Sequence, residues 1–344
     1  MRIKFIIPKC HFSSGIGFII STFIYLSICQ SSSAQDSSMI TSPAIKWVEQ
    51  YPFSQNKENQ RKKSKFIDFI LGKKNSLELT KPVNIIARSS NEYWVLDQAN
   101  GAIFQVHQKV GDIPHIRNKR FSRFPSLVGF CFYEVNKMLF TDSYLNKIFV
   151  YNPEEKEITS LNDSLILSQP TGIAYSEVTH EIWVVETAAH SIAVLNEKGK
   201  LKKRIGRRGV EPGEFNYPTS IWIDKSGQIY VVDALNFRVQ VFNKEGNLIS
   251  LFGKNGDGSG NFARPKGIAT DSFGNIYVAD ALYNAVQIFD LSGNFLYSFG
   301  TRGQDKGEFW MPSGIFIDSM NYIYVADCYN SKVQVFQLNY SGRK

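Results

Sequence analysis

One motif recurs six times over residues 82–336 of this 344-residue chain. Each copy begins at a proline and contains three short apolar stretches, the second of which ends at an acidic residue. The clearest copy reads Pro312-Ser-Gly-Ile-Phe-Ile-Asp318, then Ile323-Tyr-Val-Ala-Asp327, then Val333-Gln-Val-Phe336. The prolines are 43 to 48 residues apart: Pro82, Pro125, Pro170, Pro218, Pro265 and Pro312. A period of this length is typical of architectures in which each repeat is one supersecondary unit packed against its neighbours.

The fifth copy shows the secondary structure of one repeat. Four stretches rich in Ile, Val, Tyr and Phe cover residues 267–271, 276–279, 286–289 and 295–299, with Gly, Asn, Asp and Ser between them. Short strands joined by such turns form an antiparallel meander. Four-stranded units at this period are the signature of propeller blades. The sequence therefore predicts an all-β, six-bladed β-propeller built of four-stranded antiparallel blades.

The two ends of the repeat array indicate how the ring closes. The sixth copy has only residues 337–344 after its third strand, so its fourth strand is expected to be missing or irregular. Upstream, residues 66–72 resemble the fourth strands at 248–253 and 295–300. A strand from the N-terminal side that completes the last blade would remove the exposed edge. We predict a propeller over residues 66–344, closed by an N-terminal strand, and a flexible linker over residues 35–65.

The first 34 residues have the pattern of a secretory signal peptide. A basic start precedes the apolar run 15–29, and small residues occupy 32–34. The run is shorter than the roughly 20 residues that a membrane span needs. We predict cleavage, no transmembrane span afterwards, and an extracytoplasmic protein, either periplasmic or secreted. Retention as a membrane anchor stays open, as does lipidation at Cys29, although Ile28 lies where a lipoprotein motif has a small residue.

Charge and cysteine content limit the remaining part of the chain. After residue 34 there are 36 basic and 31 acidic residues, a mildly basic balance that does not by itself indicate a polyanion partner. Two cysteines remain, Cys131 and Cys328, and the repeat places them at opposite ends of different blades. We predict free, packed thiols. A structural calcium ion is compatible with such a fold, but no motif indicates one, and no cofactor is predicted.

The copies resemble NHL repeats. The resemblance rests on Gly213-Glu-Phe215 before Pro218, and on Tyr230-Val-Val-Asp233-Ala-Leu-Asn236-Phe-Arg238-Val-Gln-Val-Phe242. It covers residues 66–336 and is strongest in copies 4 to 6. Copy 3 departs most, with Glu186 in the place of the aspartate and His190 near the place of the asparagine. This resemblance implies a six-bladed propeller of the type found in secreted bacterial proteins.

The resemblance also implies a choice of activities. Some NHL-like proteins are lyases that hold zinc with histidines, and some NHL domains bind RNA. Here the four histidines after residue 34 are His107, His115, His180 and His190, which the repeat distributes over different strands and turns. A zinc site with three histidines is therefore not predicted. Nucleic acid is disfavoured because the leader directs the protein out of the cytoplasm.

Strand direction identifies the face on which a ligand would bind. Loops that join the second and third strands share one face with the loops that join successive blades; we call it the loop-rich face. It carries the longest connections, residues 207–217, 254–264 and 301–311. Loops on a rigid scaffold are where binding sites concentrate. We predict that the acidic residues ending the second strands fix turns and that Phe215, Phe262 and Phe309 plug the gaps between blades.

Candidate ligand-binding residues are those that vary between copies on the loop-rich face. Aromatic and basic side chains can hold peptide or carbohydrate by stacking and charge pairing. The sequence predicts a monomeric binding or scaffolding propeller that recognises a protein, peptide or envelope glycan. A propeller lyase or hydrolase, a nucleic-acid-binding NHL domain, and an ordinary solvated surface remain alternatives. The candidate residues are Trp310, Tyr217, Arg264, Tyr283, Tyr329, Arg238, Arg208 and His190.

Overall fold

A computed structural model of the protein describes residues 44–52, 78–107, 115–116, 124–162 and 165–339. The predicted signal peptide, Cys29 and residues 66–72 lie outside the described residues. Within the described part of the chain, no helix is both long and apolar enough to cross a membrane.

Short β-strands make up nearly all of the regular structure. Single 3₁₀ turns follow the second strand at Thr187–Ala189, Ala234–Asn236 and Cys328–Asn330. The strands are β1 Ala44–Tyr51, β2 Pro82–Ser89, β3 Glu92–Asp97, β4 Ala102–His107, β5 His115–Ile116, β6 Leu127–Tyr133, β7 Lys137–Asp142, β8 Lys147–Asn152, β9 Glu157–Ser160, β10 Pro170–Ser176, β11 Glu181–Glu186, β12 Ser191–Asn196, β13 Leu201–Ile205, β14 Pro218–Ile223, β15 Ile229–Asp233, β16 Arg238–Phe242, β17 Leu248–Phe252, β18 Pro265–Thr270, β19 Ile276–Asp280, β20 Ala285–Phe289, β21 Phe295–Phe299, β22 Pro312–Ile317, β23 Tyr322–Asp327 and β24 Lys332–Asn339.

These strands form six antiparallel sheets of four strands each. Blades 1 to 5 contain consecutive strands, β2–β5, β6–β9, β10–β13, β14–β17 and β18–β21. Blade 6 has the order β22, β23, β24, β1. The predicted all-β, six-bladed propeller with four-stranded antiparallel blades is confirmed.

The ring is closed by an N-terminal strand, as predicted, but by a different one. Strand β1 pairs with β24 from Ala44 opposite Asn339 to Tyr51 opposite Val333. The assignment of the closing strand to residues 66–72 was therefore wrong, and the predicted linker 35–65 contains the strand instead. Ile45 and Trp47 explain the pairing, because both pack against the core between blades 5 and 6. Trp47 Nε1 also donates a hydrogen bond to Gln334 Oε1 at 3.2 Å.

The hydrophobic core lies between successive blades. The second and third strands are almost wholly buried, as in β19 and β20, whereas the outer strand β21 alternates between half-buried and exposed residues. The predicted plugs Phe215, Phe262 and Phe309 are fully buried in three such interfaces. The two cysteines among the described residues are free, as predicted, with Cys328 buried and Cys131 partly buried.

The first strands of the blades surround a central channel. Each runs from the loop-rich face to the opposite face, and glycines bring neighbouring first strands into contact. A Cβ atom on Gly172 would lie 2.8 Å from Ser220 Cα, and one on Gly267 would lie 2.4 Å from Ser313 O. The first strands of blades 3 and 4, and those of blades 5 and 6, are therefore closely packed around the channel, which limits movement of its wall.

Candidate functional site

The acidic residue that ends each second strand connects two loops of the loop-rich face. Asp280 accepts hydrogen bonds from the amides of Leu282 and Tyr283 in its own turn, at 3.1 and 3.2 Å. It also accepts from the amides of Ala263 and Arg264, at 2.8 and 3.0 Å, in the loop entering the blade. The two loop types thus share one face. The predicted bonds to amides of the same turn are confirmed for Asp97, Asp142 and Asp280, whereas Asp233 and Asp327 hold their turns by accepting from the side chains of Asn236 and Asn330.

Arg238 belongs to this scaffold and not to a binding surface. Its side chain is 10% exposed, and its Nε lies 2.8 Å from Asp233 Oδ2. The remaining guanidinium nitrogens donate to the carbonyl oxygens of Val210, Glu211 and Glu214 at 2.7 to 2.9 Å. Because the protein itself uses these donors, the structure does not favour the predicted role of Arg238 as a ligand-binding residue.

His190 also has a structural role. It is only 6% exposed, and its Nδ1 accepts a hydrogen bond from the Tyr217 amide at 3.1 Å. In blade 5 the Asn284 side chain accepts the same bond from the Met311 amide at 2.9 Å. His190 thus replaces an asparagine that anchors the next inter-blade loop. The departure from the repeat that suggested a ligand contact is a substitution within the scaffold.

The other candidates divide into two groups. Tyr329 and Arg264 line the central channel where it opens on the loop-rich face. Trp310 adjoins them, since its ring centroid lies 5.6 Å from that of Tyr329. Tyr217 packs on His190, with ring centroids 4.5 Å apart, and the side chain of Arg208 is exposed on the same long loop.

Tyr283 is half-buried. Its hydroxyl oxygen is buried and has no hydrogen-bond partner among the described residues. Burial, followed by the nearby carboxylates Asp280 and Asp257, raises the pKa of this phenol above its usual value. Its hydroxyl is therefore a neutral donor that a ligand could reach only after a local rearrangement.

The central channel encloses a cavity of about 790 Å³, lined by the first strands of all six blades. The sequence indicated the face but not this cavity. We define the channel mouth as its end on the loop-rich face. The mouth is lined by Lys81, Gln98, Ser126, Ser143, Gln169, Arg264, Lys266, Met311, Ser313, Cys328 and Tyr329.

Charge is distributed unevenly along the channel. The three carboxylates that line it, Glu177, Asp224 and Asp318, follow the first strands and therefore lie at the end opposite the mouth. The mouth has Lys81, Arg264 and Lys266 and no lining carboxylate. The described side chains that line the mouth are thus basic, whereas those at the opposite end have mixed charge.

The arrangement of these cations affects the pKa of Lys266. Lys266 is half-buried on β18. Desolvation lowers its pKa below the usual value, and the neighbouring cations Arg264 and Lys81 lower it further. A charged group in such a place gains from an opposite charge that enters the mouth.

Three aromatic rings constrict the channel near its opposite end. Phe132, Trp222 and Phe316 come from blades 2, 4 and 6 and lie near the ends of their first strands. The ring centroids of Trp222 and Phe316 are 5.6 Å apart, and those of Phe132 and Phe316 are 6.2 Å apart, all edge to face. The Trp222 indole donates to Thr270 Oγ1 at 2.8 Å, which fixes its orientation. The cavity thus has a polar, basic mouth and an apolar base.

A ring of exposed side chains surrounds the mouth. The second residue after each strand-ending acidic residue points to solvent, and in four blades it is large and apolar. We call these four the apolar ring: Tyr144, Leu235, Leu282 and Tyr329. The sequence analysis overlooked the two leucines because leucine is unremarkable in a single copy. Comparison of this one turn position across all copies would have found them.

Among the described residues, no group of three or more His, Cys, Asp or Glu side chains is arranged to hold a metal ion. His180 instead contacts the Tyr175 hydroxyl at 3.0 Å and Glu197 at 3.3 Å. His107 lies 4.0 Å from Glu92 on the neighbouring strand.

Comparison with known proteins supports the class of fold. A family model described as a 6-bladed beta-propeller matches residues 159–236 and 270–343. A comparison with curated proteins finds no match to this sequence. The fold and the two matched segments define a six-bladed β-propeller protein.

Several solved structures share this architecture. Virginiamycin B lyase from Staphylococcus aureus is 16% identical with a TM-score of 0.56, over 77% of this chain and 97% of that one. An auxiliary nutrient binding protein from Bacteroides thetaiotaomicron is 13% identical with a TM-score of 0.61, over 76% and 70% of the two chains. A gluconolactonase from Xanthomonas campestris is 13% identical with a TM-score of 0.59, over 76% and 87%. Because all three identities are low, these likenesses extend to the fold alone.

Proposed function

We propose that this protein is an extracytoplasmic binding propeller that holds its ligand at the channel mouth on the loop-rich face. The observation that carries the proposal is the cavity of about 790 Å³, which opens between exposed aromatic and apolar side chains and unpaired basic groups. Cavities of this size with a few converging polar groups are typical of ligand sites. The ring of blades is rigid, so the site is preformed and binding requires little ordering.

The apolar ring favours a protein or peptide partner. The aromatic pair that its Tyr329 forms with Trp310 is equally suited to an envelope glycan. Trp310 and Tyr329 lie with their planes 35° apart at the edge of the mouth. Exposed aromatic residues at the centre of an interface commonly contribute most of the binding energy. Both proposed partner classes would therefore depend on this pair.

The extracytoplasmic location and the NHL-type repeats belong to the same proposal. The basic start, apolar run and small residues of positions 1–34 support export. Mass spectrometry of the protein recovered from its native host would find a mature chain beginning near residue 35. An intact N-terminus in the cytoplasmic fraction would contradict the proposed location, and a lipid on Cys29 would show anchoring instead of release.

A lyase or hydrolase is the alternative function. This alternative is retained because a lyase and a gluconolactonase are among the proteins of similar fold. No described histidine lines the channel, and Nδ1 of His190, on the loop-rich face, already accepts a hydrogen bond from the Tyr217 amide. Binding is therefore the function that the geometry supports best.

The test of the proposed function uses arrays of peptides and glycans probed with the wild-type protein. Trp310→Ala and Tyr329→Ala should each weaken binding by about thirtyfold or more, since such anchors contribute about 2 kcal/mol or more. Phe273→Ala is the matched control, because Phe273 is an exposed aromatic residue in the turn that follows β18, away from the mouth. Equal effects of the three substitutions, or binding that none of them changes, would contradict a site at the mouth.

A further inference from the structure

We propose that the channel mouth binds an oxyanion, a carboxylate or phosphate group of the ligand, between Lys81, Arg264 and Lys266. This inference rests on the proposed function and names the chemistry that the same site selects. It is carried by the placement of three cations from two blades around one opening.

The repeat positions the three cations around blade 6. Arg264 and Lys266 flank the proline that begins β18 in blade 5, and Lys81 precedes the proline that begins β2 in blade 1. Blade 6 lies between these two blades, and its Met311, Ser313 and Cys328 complete this side of the mouth. An anion entering above blade 6 would meet basic side chains from both neighbouring blades.

These cations have no partners within the described part of the protein. No salt bridge or side-chain hydrogen bond joins Lys81, Arg264 or Lys266 to another described residue. By contrast, Arg207 on the neighbouring long loop pairs with Glu214 at 2.9 Å. Three convergent, unpaired cations around a concave opening are typical of an anion-binding site.

The nearby carboxylates do not neutralise the mouth by direct pairing. Asp97, Asp280 and Asp327 are fully buried behind the first strands. Asp97 accepts from the Thr80 and Lys81 amides, Asp280 from the Ala263 and Arg264 amides, and Asp327 from the Trp310 amide at 2.8 Å. The backbone amides thus use these oxygens, and the basic side chains extend away from them to the channel.

Desolvation makes Lys266 the most responsive of the three. Burial and the two neighbouring cations disfavour its charged form, which lowers its pKa. A bound oxyanion would reverse this effect because an opposite charge at short range favours the ammonium form. The ammonium would then donate charge-assisted hydrogen bonds, which are about twice as strong as neutral ones.

The rest of the ligand would face two different environments. Gln98, Ser126 and Ser313 provide polar contacts at the mouth, while Trp222 and Phe316 provide an apolar surface deeper in the channel. A cavity of about 790 Å³ admits a small molecule or the end of a larger chain. The site therefore fits an acidic group attached to a compact, partly apolar body.

Calorimetric titration with matched acidic and neutral compounds tests the inference. The pairs are benzoate with benzamide, D-glucuronate with D-glucose, and phenyl phosphate with phenol. At least one acidic member should bind, with an affinity about tenfold or more above that of its neutral partner. Added sodium chloride should weaken the binding through screening. Preference for phenyl phosphate over the two carboxylates would identify phosphate as the oxyanion, and the reverse preference would identify carboxylate.

The variants Lys81→Met, Arg264→Met and Lys266→Met should each lower the affinity for the acidic compound by about tenfold. Lys225→Met is the matched control, because Lys225 lines the same channel at its other end. Circular dichroism and the thermal midpoint would establish that each variant is folded. Acidic compounds that bind no better than neutral ones, or a Lys225→Met effect equal to the others, would overturn the inference.

The inference and the proposed function can fail separately. If a peptide or glycan binds in a way that depends on Trp310 but not on the three cations, the mouth is the site and the oxyanion inference is wrong. If acidic compounds bind through the cations while Trp310→Ala and Tyr329→Ala change no macromolecular binding, the oxyanion site stands and the proposed partner recognition is wrong.

Discussion

Two arginines on the loop-rich face, Arg238 and Arg264, differ in what surrounds them. In blade 4, Arg238 is enclosed, pairs with Asp233 and donates to three carbonyl oxygens. At the channel mouth, Arg264 is exposed and has no partner among the described residues, although it lies on the same face. Both residues are ligand-binding candidates on sequence grounds. Tertiary structure assigns one to the scaffold and leaves the other available.

The comparison teaches where function can be sought in a repeat protein. Arg238 occupies a consensus position of the resemblance, and the structure uses every part of its head group. Arg264, Lys266 and Lys81 occupy positions where the other blades have Ser, Gln, Tyr, Thr, Val or Met. Arg238 is itself not repeated in this chain, because the same position holds Ala102, Lys147, Ser191, Ala285 and Lys332 in the other blades. Variation between copies therefore does not by itself mark a binding residue, and the contacts of the side chain decide.

The largest expected effect comes from removing the enclosed arginine. Arg238→Met should lower the free energy of unfolding by about 3–5 kcal/mol, because it leaves the buried Asp233 charge without its partner. Urea denaturation followed by tryptophan fluorescence measures the change. Arg208→Met is the control, since an exposed side chain without such contacts should alter stability by only about 0.5 kcal/mol. Similar losses of unfolding free energy in the two variants would show that the Arg238–Asp233 pair contributes no more to stability than an exposed arginine does.

The next effect concerns the glycines that accommodate the plug residues. Gly300 has φ +93°, and a Cβ atom there would lie 2.4 Å from the Phe309 ring. Gly307 has φ +80° with no atom within 4 Å of its Cβ position. Gly300→Ala and Gly307→Ala share the backbone strain of a positive φ. Overpacking should make the first variant less stable than the second by about 1–3 kcal/mol. Equal thermal midpoints would show that the Phe309 ring moves freely and is not a rigid plug.

A smaller effect on stability is expected at the apolar ring. Leu235→Ser and Leu282→Ser remove exposed side chains and should change the free energy of unfolding by only about 0.5 kcal/mol. Binding of a protein or peptide partner should nevertheless weaken, because these side chains surround the mouth. Leu291→Ser is the control, as Leu291 is exposed in the turn after β20 on the opposite face. Weaker binding at unchanged stability would show that the apolar ring serves binding. A loss of stability together with binding would contradict this role.

The smallest effect should have the opposite sign. Lys266→Met should stabilise the protein near neutral pH, because burial of the ammonium disfavours the folded state. The pKa of Lys266 is lowered in the folded protein, so the unfolded chain binds more protons between that pKa and the ordinary value of 10.5. Wild-type stability therefore rises relative to the variant as pH increases through this window. Thermal midpoints of both proteins measured across the window should converge. A constant or widening difference would show that the Lys266 charge is not penalised.

Much of the scaffold was predictable because its signals are local and repeated. Phe215, Phe262 and Phe309 follow a glycine in the same pattern, and the structure buries all three. The closing strand was not predictable in the same way. Residues 44–51 pair with β24, almost 290 positions later, and a single pairing of that kind leaves no periodic trace. Residues 66–72 resembled an outer strand more closely, but Ile45 and Trp47 supply the apolar side chains that blade 6 uses.

The candidate site was only partly predictable. Trp310, Tyr329 and Arg264 were identified from their departure from the repeat, and the structure places them together around the mouth. His190 departed as well, yet its ring nitrogen replaces an asparagine side chain in the same hydrogen bond. Lys81 and Lys266 were missed because each is an ordinary lysine in its own copy. Their common setting exists only once blades 5, 6 and 1 are assembled.

The sequence by itself determined the number of blades, the strands within each blade, the turn-fixing carboxylates and the face that carries the long loops. These properties follow from short-range patterns, since apolar periodicity and turn residues act within one repeat. Only the tertiary structure decided which strand closes the ring, which basic residues are enclosed, and which three cations converge on the channel. Those outcomes depend on distances between residues of different blades, and closure of the ring sets those distances.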